Sequence, residues 1–336
     1  IAPADASSDS LGHGHGWKGS DVSGKSYLVT GGTGFLGSAL VKRLVLSGAR
    51  VRVLDDNSRG RSRRLADVEG QFEFVAGDIR DAAVVDKACQ GIDVMCHLAY
   101  VNGTEFFYSK PELVLDVAVK GMVNVLDGCR KHGIRDLFLM SSSEVYQTPP
   151  TVPTDESEPL SVPDVTNPRY SYGGGKIISE LMAINYGRTG FDRVVIVRPH
   201  NVYGADMGYE HVIPQFALRM SSLKNTPGDP LDFPIRGSGE QTRSFVYIDD
   251  FTDGVMLALA HGEHLGIYHV GTLQEVTVSY LAECMARSFG RTIRVVPGET
   301  PKGETNRRCP DIRKIAALGY APKYTLESAM PAVAKW

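Results

Sequence analysis

Residues 26–37 read Ser-Tyr-Leu-Val-Thr-Gly-Gly-Thr-Gly-Phe-Leu-Gly, an apolar run that passes directly into a glycine-rich turn. The run has the composition of a buried strand, and the residues after it have apolar side chains at helical spacing as far as Leu46. In such a strand–turn–helix unit, Gly31 and Gly34 let the backbone turn and approach a pyrophosphate, and Gly37 lets helix and strand pack closely. Taken alone, the glycine cluster is equally consistent with a simple turn.

The alternation of short β-branched runs with longer helical ones continues to about residue 198. Strands are predicted at Ser26–Thr30, Arg50–Leu54, Phe72–Ala76, Asp93–His97, Asp136–Met140 and Arg193–Val197, and long helices at Leu36–Leu46, Pro111–Lys131 and Tyr172–Arg188. This pattern predicts an α/β fold with a doubly wound parallel sheet of the Rossmann type. After Pro199 the strands shorten and glycine and proline become frequent, which predicts a smaller C-terminal α/β lobe that binds substrate. We expect a flexible tail over 1–23, a cofactor-binding domain over 24–198 and the lobe over 199–336, with some exchange of elements between the last two.

Composition limits the possible partners. The net charge of −3 gives no sign of a nucleic-acid-binding surface, and no stretch has the roughly 20 apolar residues of a membrane span. The five cysteines are scattered without a disulfide or metal pattern, which favours a cytoplasmic protein. The first 23 residues do not resemble a secretion signal, and His13 and His15 within them are consistent with a flexible tail or a metal-binding tract.

The end of the second predicted strand indicates which dinucleotide binds. Asp55 is placed to accept hydrogen bonds from an adenosine ribose and would repel a 2′-phosphate, so NAD is favoured over NADP. Four nearby arginines could instead recruit that phosphate, or they could form a solvated helix face: Arg59, Arg61, Arg63 and Arg64. Asp78, after the third strand, is a candidate adenine contact or a helix N-cap.

Tyr172 and Lys176 lie four residues apart and therefore on one face of a helix. A nearby ammonium and a nicotinamide cation would both draw the tyrosine pKa down towards the working pH, so that Tyr172 could take a hydroxyl proton while hydride leaves the same carbon. Such a pair also occurs by chance on surface helices. The fifth strand ends in Ser141-Ser142-Ser143-Glu144, and Ser142 could hydrogen-bond the sugar oxygen that Tyr172 deprotonates.

With these motifs in this order, Lys25 to Trp336 resembles the extended short-chain dehydrogenase/reductase family, in its branch of nucleotide-sugar epimerases, dehydratases and decarboxylases. Further matching segments are residues 97–99, 198–204, 239–245 and 308–311. The resemblance implies NAD as cofactor, an NDP-sugar such as a UDP-sugar as substrate, and transient oxidation at carbon 4 of the sugar. The cofactor-binding residues would be Gly31, Gly34, Phe35, Leu36, Gly37, Asp55, Asp78, Ile79, Leu98, Tyr172 and Lys176.

For the substrate, the resemblance implies that Asn201, Arg243 and Arg308 hold the diphosphate, since a guanidinium fork matches phosphate oxygens. Surface ion pairs are the alternative role for either arginine. Tyr100 and His200 are candidate contacts to the sugar.

The residues after Ser142 distinguish the reactions of the branch. Dehydratases usually carry an adjacent Asp-Glu pair, whereas this chain has Ser143-Glu144, keeping the base and lacking the acid. Ser-Glu at these positions is similar to UDP-glucuronate decarboxylases. However, 4-epimerases acting on UDP-glucose or UDP-glucuronate need no acid, and some unusual dehydratases carry only the glutamate. Decarboxylation ranks first, 4-epimerisation second and dehydration third.

Two alternatives belong to different functional classes. One is an inactive protein that only binds NAD and a nucleotide-sugar, and the presence of both Tyr172 and Lys176 argues against it. The other is a simple NADP-dependent dehydrogenase of free substrates, which Arg243 and Arg308 argue against.

The chain also departs from the family pattern. Ala118 stands where relatives usually have an asparagine, which puts the usual support of Lys176 in doubt, and Ala205 stands where they have proline. Residues 206–211 are atypical, and together with His200 they could form an unfamiliar sugar pocket; a metal site there lacks a third ligand at regular spacing.

In relatives, the helices predicted at Pro111–Lys131 and Tyr172–Arg188 pair across a two-fold axis as a four-helix bundle. This implies a homodimer, unless their apolar stripes are internal.

Overall fold

The computed structural model describes residues 21–299 and 306–336. Its strands are β1 (Ser26–Thr30), β2 (Arg50–Asp55), β3 (Glu73–Ala76), β4 (Val94–His97), β5 (Asp136–Met140), β6 (Arg193–Pro199), β7 (Val202–Tyr203), β8 (Leu231–Pro234), β9 (Thr242–Ser244), β10 (Val246–Tyr247), β11 (Gly266–Val270), β12 (Glu275–Thr277), β13 (Ile293–Val296) and β14 (Arg307–Arg308). Most of the expected tail, including His13 and His15, lies outside the described residues.

The helices are α1 (Phe35–Leu46), α2 (Ala82–Ala88), α3 (Thr104–Ser109), α4 (Pro111–Asp116), α5 (Met122–His132), α6 (Ser171–Gly190), α7 (Val212–Leu223), α8 (Ile248–His261), α9 (Val278–Ser288), α10 (Arg313–Ala316) and α11 (Leu326–Lys335). A π-helical turn at Val117–Gly121 joins α4 to α5, so the long helix predicted there is continuous but locally widened. None of the helices in the described ranges combines the length and the apolar character that crossing a lipid bilayer requires.

The central sheet has seven strands in the order β11–β6–β5–β4–β1–β2–β3, and every neighbouring pair is parallel. This confirms the doubly wound sheet, and all six predicted strands form with ends shifted by at most two residues. The prediction missed β11, which comes from beyond residue 199 and pairs with β6. It lies in the part of the sequence after Pro199 in which the regular alternation of strands and helices is lost, so no neighbouring pattern marks it as a strand of this sheet.

Both faces of the sheet are covered, which is why its inner strands read as continuous apolar runs. All five residues of β1 are buried. On one face Val29 packs in a core with residues of α1 and α8, such as Leu40 and Phe251. On the other face Leu28 packs in a core with residues of α5 and α6, such as Val125 and Ala183.

A third apolar core belongs to the C-terminal part of the chain. It is formed by α7, α9, α11 and the parallel pair β8–β13, with Phe216, Phe233, Leu281 and Met330 among its buried side chains. A small sheet in the order β12–β9–β14 lies beside it. In that sheet β9 and β14 are parallel, and Arg243 stands opposite Arg308.

The turn between β1 and α1 works only with glycine. Gly31 has a φ of +73°, and a Cβ atom there would lie 2.7 Å from the backbone of Ala99. A Cβ atom on Gly37 would lie 2.0 Å from the carbonyl oxygen of Gly31. These contacts are between backbone segments that cannot move apart without separating α1 from the sheet.

We predict that Gly37→Ala destabilises the fold by about 2–3 kcal/mol or more, because the new methyl group overlaps a backbone carbonyl. The measurement is the midpoint of thermal unfolding. Gly190→Ala is the matched control, since a Cβ atom there meets nothing within 4 Å. Equal stability of the two variants would contradict this account of the turn.

Candidate active site

A cleft of about 410 Å³ opens at the carboxyl ends of the sheet strands and is closed on its far side by residues 199–211. Parallel strands all end at the same edge, so side chains far apart in the sequence meet there. Most of the site residues predicted from the sequence line this cleft: Gly31, Gly34, Phe35, Leu36, Gly37, Asp55, Asp78, Ile79, Leu98, Tyr100, Ser142, Ser143, Glu144, Tyr172, Lys176 and Asn201. His200, Arg243 and Arg308 do not line it.

The cofactor half of the cleft is built around the glycine turn. Asp55 accepts hydrogen bonds from the N–H groups of Thr33 and Asn57, both at 2.9 Å, so its carboxylate is fixed beside the turn. Gly34 is the N-cap of α1 and supplies no side-chain hydrogen bond to the helix start. A bare helix N-terminus with no Cβ atoms over it fits a pyrophosphate, and the fixed carboxylate fits a ribose.

Three of the four arginines after β2 have side-chain partners within the chain. Arg63 and Arg64 form ion pairs with the carboxylate of Asp206 at 2.7 and 3.4 Å, respectively. Arg64 also donates a hydrogen bond to the backbone carbonyl of Asp206 at 2.6 Å. Arg59 forms an ion pair with Glu210 at 3.3 Å and stacks over the ring of Phe106. These contacts join the side of the cleft with the glycine turn to segment 206–211. Because these arginine side chains are already paired, Asp55 is the side chain better placed to bind a ribose.

Asp78 and Ile79 are positioned by the helices next to the cleft. Arg80 donates to the Asp78 carboxylate and lowers its pKa. The N-cap of α2 is Asp81, so Asp78 does not have the capping role that was its alternative. Ile79 packs against Gly121 in the π-helical turn, where a Cβ atom would lie 2.3 Å from its side chain.

Tyr172 is buried between two aromatic rings. Phe107 stacks on it with centroids 5.0 Å apart, and Tyr100 meets it edge-on at 5.1 Å. Burial raises the pKa of Tyr172 to about 12, a hydrogen bond with Ser142 opposes this rise, and the Glu144 charge adds to it. The sequence predicted that Lys176 would lower the pKa of Tyr172. In the structure the pKa of Tyr172 is raised instead, because burial has the largest effect on it.

Lys176 is turned away from the phenol. Its ammonium donates to the carbonyl of Met140 at 2.7 Å and lies 3.7 Å from the ring centroid of Tyr100, but 5.9 Å from that of Tyr172. Burial lowers the pKa of Lys176 to about 7, and Glu180 opposes this shift. The lysine therefore changes its charge near neutral pH.

The glycines between Tyr172 and Lys176 allow α6 to pack closely against its neighbours. A Cβ atom on Gly173 would lie 2.5 Å from the side-chain nitrogen of Gln147 and 2.9 Å from the carbonyl of Glu144. The poor helix propensity of glycine is offset because α6 can then approach the turn Ser143–Tyr146, which holds the strand-end residues in place.

Glu144 lies among cations. It forms an ion pair with Arg308, whose guanidinium also donates to the carbonyl of Gln147 at 3.1 Å. Burial raises the pKa of Glu144, but the positive charges of Arg308, Arg169 and Arg243 lower it by more, so the net shift is downwards. Glu144 is therefore an anion at neutral pH.

Arg169 is a site residue that the sequence reasoning missed. It lies in the turn Pro168–Tyr170 immediately before α6 and lines the cleft. Its Nε atom is buried and has no hydrogen-bond partner in the described part of the chain. The available signal was its position, one turn before Tyr172, where a cation can face the same substrate.

His200 does not have the predicted place in the cleft. It is 1% exposed and its ring lies 4.7 Å from that of His269. His211 does line the cleft, and burial lowers its pKa. Among the described residues, no three His, Cys, Asp or Glu side chains are grouped closely enough to hold a metal ion.

The comparisons with known proteins agree with this geometry. Residues 27–271 match the model of the NAD dependent epimerase/dehydratase family. The chain is 31% identical to a putative UDP-glucose 4-epimerase from Methanocaldococcus jannaschii, over 92% of this chain and 97% of the relative. It is 30% identical to UDP-glucuronic acid decarboxylase 4 from Arabidopsis thaliana, over 92% of this chain and 67% of the relative.

Among solved structures, the dTDP-glucose 4,6-dehydratase DesIV from Streptomyces venezuelae, as a double mutant with NAD and DAU bound, is 30% identical. It superposes with a TM-score of 0.81 over 92% of this chain and 96% of that chain. The relatives thus include epimerases, decarboxylases and dehydratases, and the cofactor of the family is NAD. The chain belongs to the NAD-dependent epimerase/dehydratase family of nucleotide-sugar enzymes.

Proposed function

We propose that this enzyme decarboxylates a nucleotide-linked uronic acid, with UDP-glucuronate as the best candidate, through transient oxidation at carbon 4. The observation that carries the proposal is the side chain of half-buried Arg169, which lines the cleft near Tyr172 and whose buried Nε atom lacks a hydrogen-bond partner among the described residues. A buried charge is costly unless it is paired. A sugar carboxylate would supply both the missing acceptor and an opposite charge, whereas a hydroxyl of a neutral hexose would supply only an acceptor.

The neighbouring residues support this reaction over dehydration. Glu144 is tied to Arg308 and has a lowered pKa, so it is a poor proton donor to a leaving hydroxyl. Ser143 is buried beside it and is not an acid. Neither residue of this pair therefore supplies the general acid that expulsion of water from carbon 6 requires.

The residues present can carry out the proposed steps. NAD, when bound, supplies the reversible acceptance of a hydride from carbon 4. Tyr172 takes the proton of the carbon 4 hydroxyl in its phenolate form, which the positive nicotinamide ring would favour, and Ser142, which hydrogen-bonds the Tyr172 side chain, stabilises the same oxygen. The carboxylate beyond carbon 5 is then that of a β-keto acid; its bond to carbon 5 breaks, carbon dioxide leaves and the electron pair becomes an enolate. A proton from water on carbon 5 would give the 4-keto sugar, and return of the hydride to carbon 4, with the proton held by Tyr172 going to its oxygen, would restore the hydroxyl.

A second candidate is 4-epimerisation, which also needs no acid at residue 143. The similarity to the M. jannaschii protein favours it. An epimerase for UDP-glucuronate would use Arg169 in the same way, so the two candidates differ in the product and not in the binding of the carboxylate.

We predict that purified enzyme converts UDP-glucuronate to a product that has lost carbon dioxide. The measurement is mass spectrometry of reactions with UDP-glucuronate, UDP-glucose and dTDP-glucose. Tyr172→Phe is the inactive control and should lower turnover by about 10²–10⁴-fold. An unchanged mass with inverted carbon 4 would establish the epimerase, and loss of water from dTDP-glucose would contradict both candidates.

We further predict that Arg169→Met raises the dissociation constant of UDP-glucuronate by about 10–100-fold, the value of one charge-assisted hydrogen bond, and leaves that of UDP-glucose nearly unchanged. Isothermal titration calorimetry on the NAD-loaded protein measures both. Arg294→Met is the matched control, because Arg294 is in an exposed pair with Asp232. Equal weakening of the two ligands would refute a role in carboxylate recognition.

We also propose that the enzyme is a homodimer through the helices α4–α5 and α6. Four apolar side chains on these helices are more than one-third exposed: Leu115, Val123, Ile178 and Leu181. A second copy of the same face would cover them. Sedimentation velocity should give the mass of a dimer, and Leu181→Glu should give a monomer; a monomeric unmodified protein would exclude the proposal.

A further inference from the structure

The side chain of Tyr100 contacts both members of the catalytic pair. Its ring face lies 3.7 Å from the Lys176 ammonium, and its ring meets that of Tyr172 edge-on at 5.1 Å. Its hydroxyl donates to the backbone carbonyl of Tyr172 at 3.4 Å. A rigid ring held in this way fixes the position of the ammonium relative to the phenol.

Gly175 leaves room for the side chain of Tyr100. A Cβ atom on Gly175 would lie 2.2 Å from the hydroxyl of Tyr100 and 2.7 Å from the Cβ of Ala118. Any larger side chain at residue 175 would displace the tyrosine. Tyr100 and Gly175 are therefore sterically matched, and Ala118 packs against the same glycine.

The polar groups of residues 118 and 180 do not hold the Lys176 ammonium in position. Ala118 has no polar side chain, and its carbonyl accepts from Ser179 at 3.4 Å. Glu180 is the nearby carboxylate, but it is hydrogen-bonded by Arg198 at 2.6 Å and by Ser141.

Two further groups complete the surroundings of the ammonium. His97 is buried, and both its burial and the Lys176 charge lower its pKa to about 3, so it is neutral. The carbonyl of Met140 accepts one hydrogen bond. The π-face of Tyr100 covers another side of the ammonium.

We propose that Tyr100 is a positioning residue, whose aromatic face holds the Lys176 ammonium and whose edge orients the Tyr172 ring, in place of the polar support that Ala118 cannot give. The proposal does not depend on which sugar is the substrate. It concerns only the described side chains and can be tested without turnover.

The test compares Tyr100→Phe, which keeps the ring, with Tyr100→Leu, which removes it. Uniform ¹³Cε labelling of lysine allows Lys176 to be titrated by NMR, with Lys176→Met identifying its resonance. We expect the Phe variant to titrate like the unmodified protein and the Leu variant to titrate roughly 0.5–1 pH unit lower, because the loss of a cation–π contact destabilises the charged form. The alkaline limb of the kcat/KM profile should move in the same direction.

Tyr100→Met serves as a second ring-free variant if the Leu variant unfolds, and thermal unfolding with bound NAD reports the integrity of each. Titration of Lys176 at the same pH in all ring-free variants would overturn the proposal. An equal shift in the Phe variant would also overturn it, since the hydroxyl and not the ring would then be responsible. Failure to turn over UDP-glucuronate would affect only the proposed function.

Discussion

Parallel pairing of the seven strands is the constraint on which the rest of the molecule depends. Each strand is reached through a crossover connection, so all the strands present their carboxyl ends at one edge. The glycine turn after β1, the carboxylate at the end of β2 and the serines after β5 meet at that edge for this reason. The close contact of Gly37 with Gly31 keeps α1 against the sheet and leaves its N-terminus open to the cleft.

The electrostatics of the site follow from burial. The pKa of Lys176 falls to about 7 and that of Tyr172 rises to about 12, and in each case burial disfavours the charged form. Glu144 shows the opposite balance, because the arginines around it outweigh its burial.

The C-terminal part of the chain completes the cleft. β9 and β14 carry Arg243 and Arg308 side by side, and Arg308 reaches Glu144 on the turn after β5. The ion pairs of Arg63 and Arg64 with Asp206 join the two sides at the cofactor end. Segments that are distant in the sequence thus bound the cleft, and ion pairs hold these segments together.

The sequence alone was sufficient for the doubly wound sheet, the glycine turn, the family, the cofactor and the grouping of Asp55, Ser142 and Tyr172 at one edge. The sheet, the turn and the grouping follow from local periodicity and from the rule that parallel strands end together. The family rests on the resemblance of the motifs to a known family, and the cofactor on that resemblance and on Asp55. Only the tertiary structure decided that His200 is buried away from the cleft, that Arg169 faces it and that Tyr100 lies against Lys176. Those facts depend on side-chain directions and on packing between distant segments, and no local pattern in the sequence encodes them.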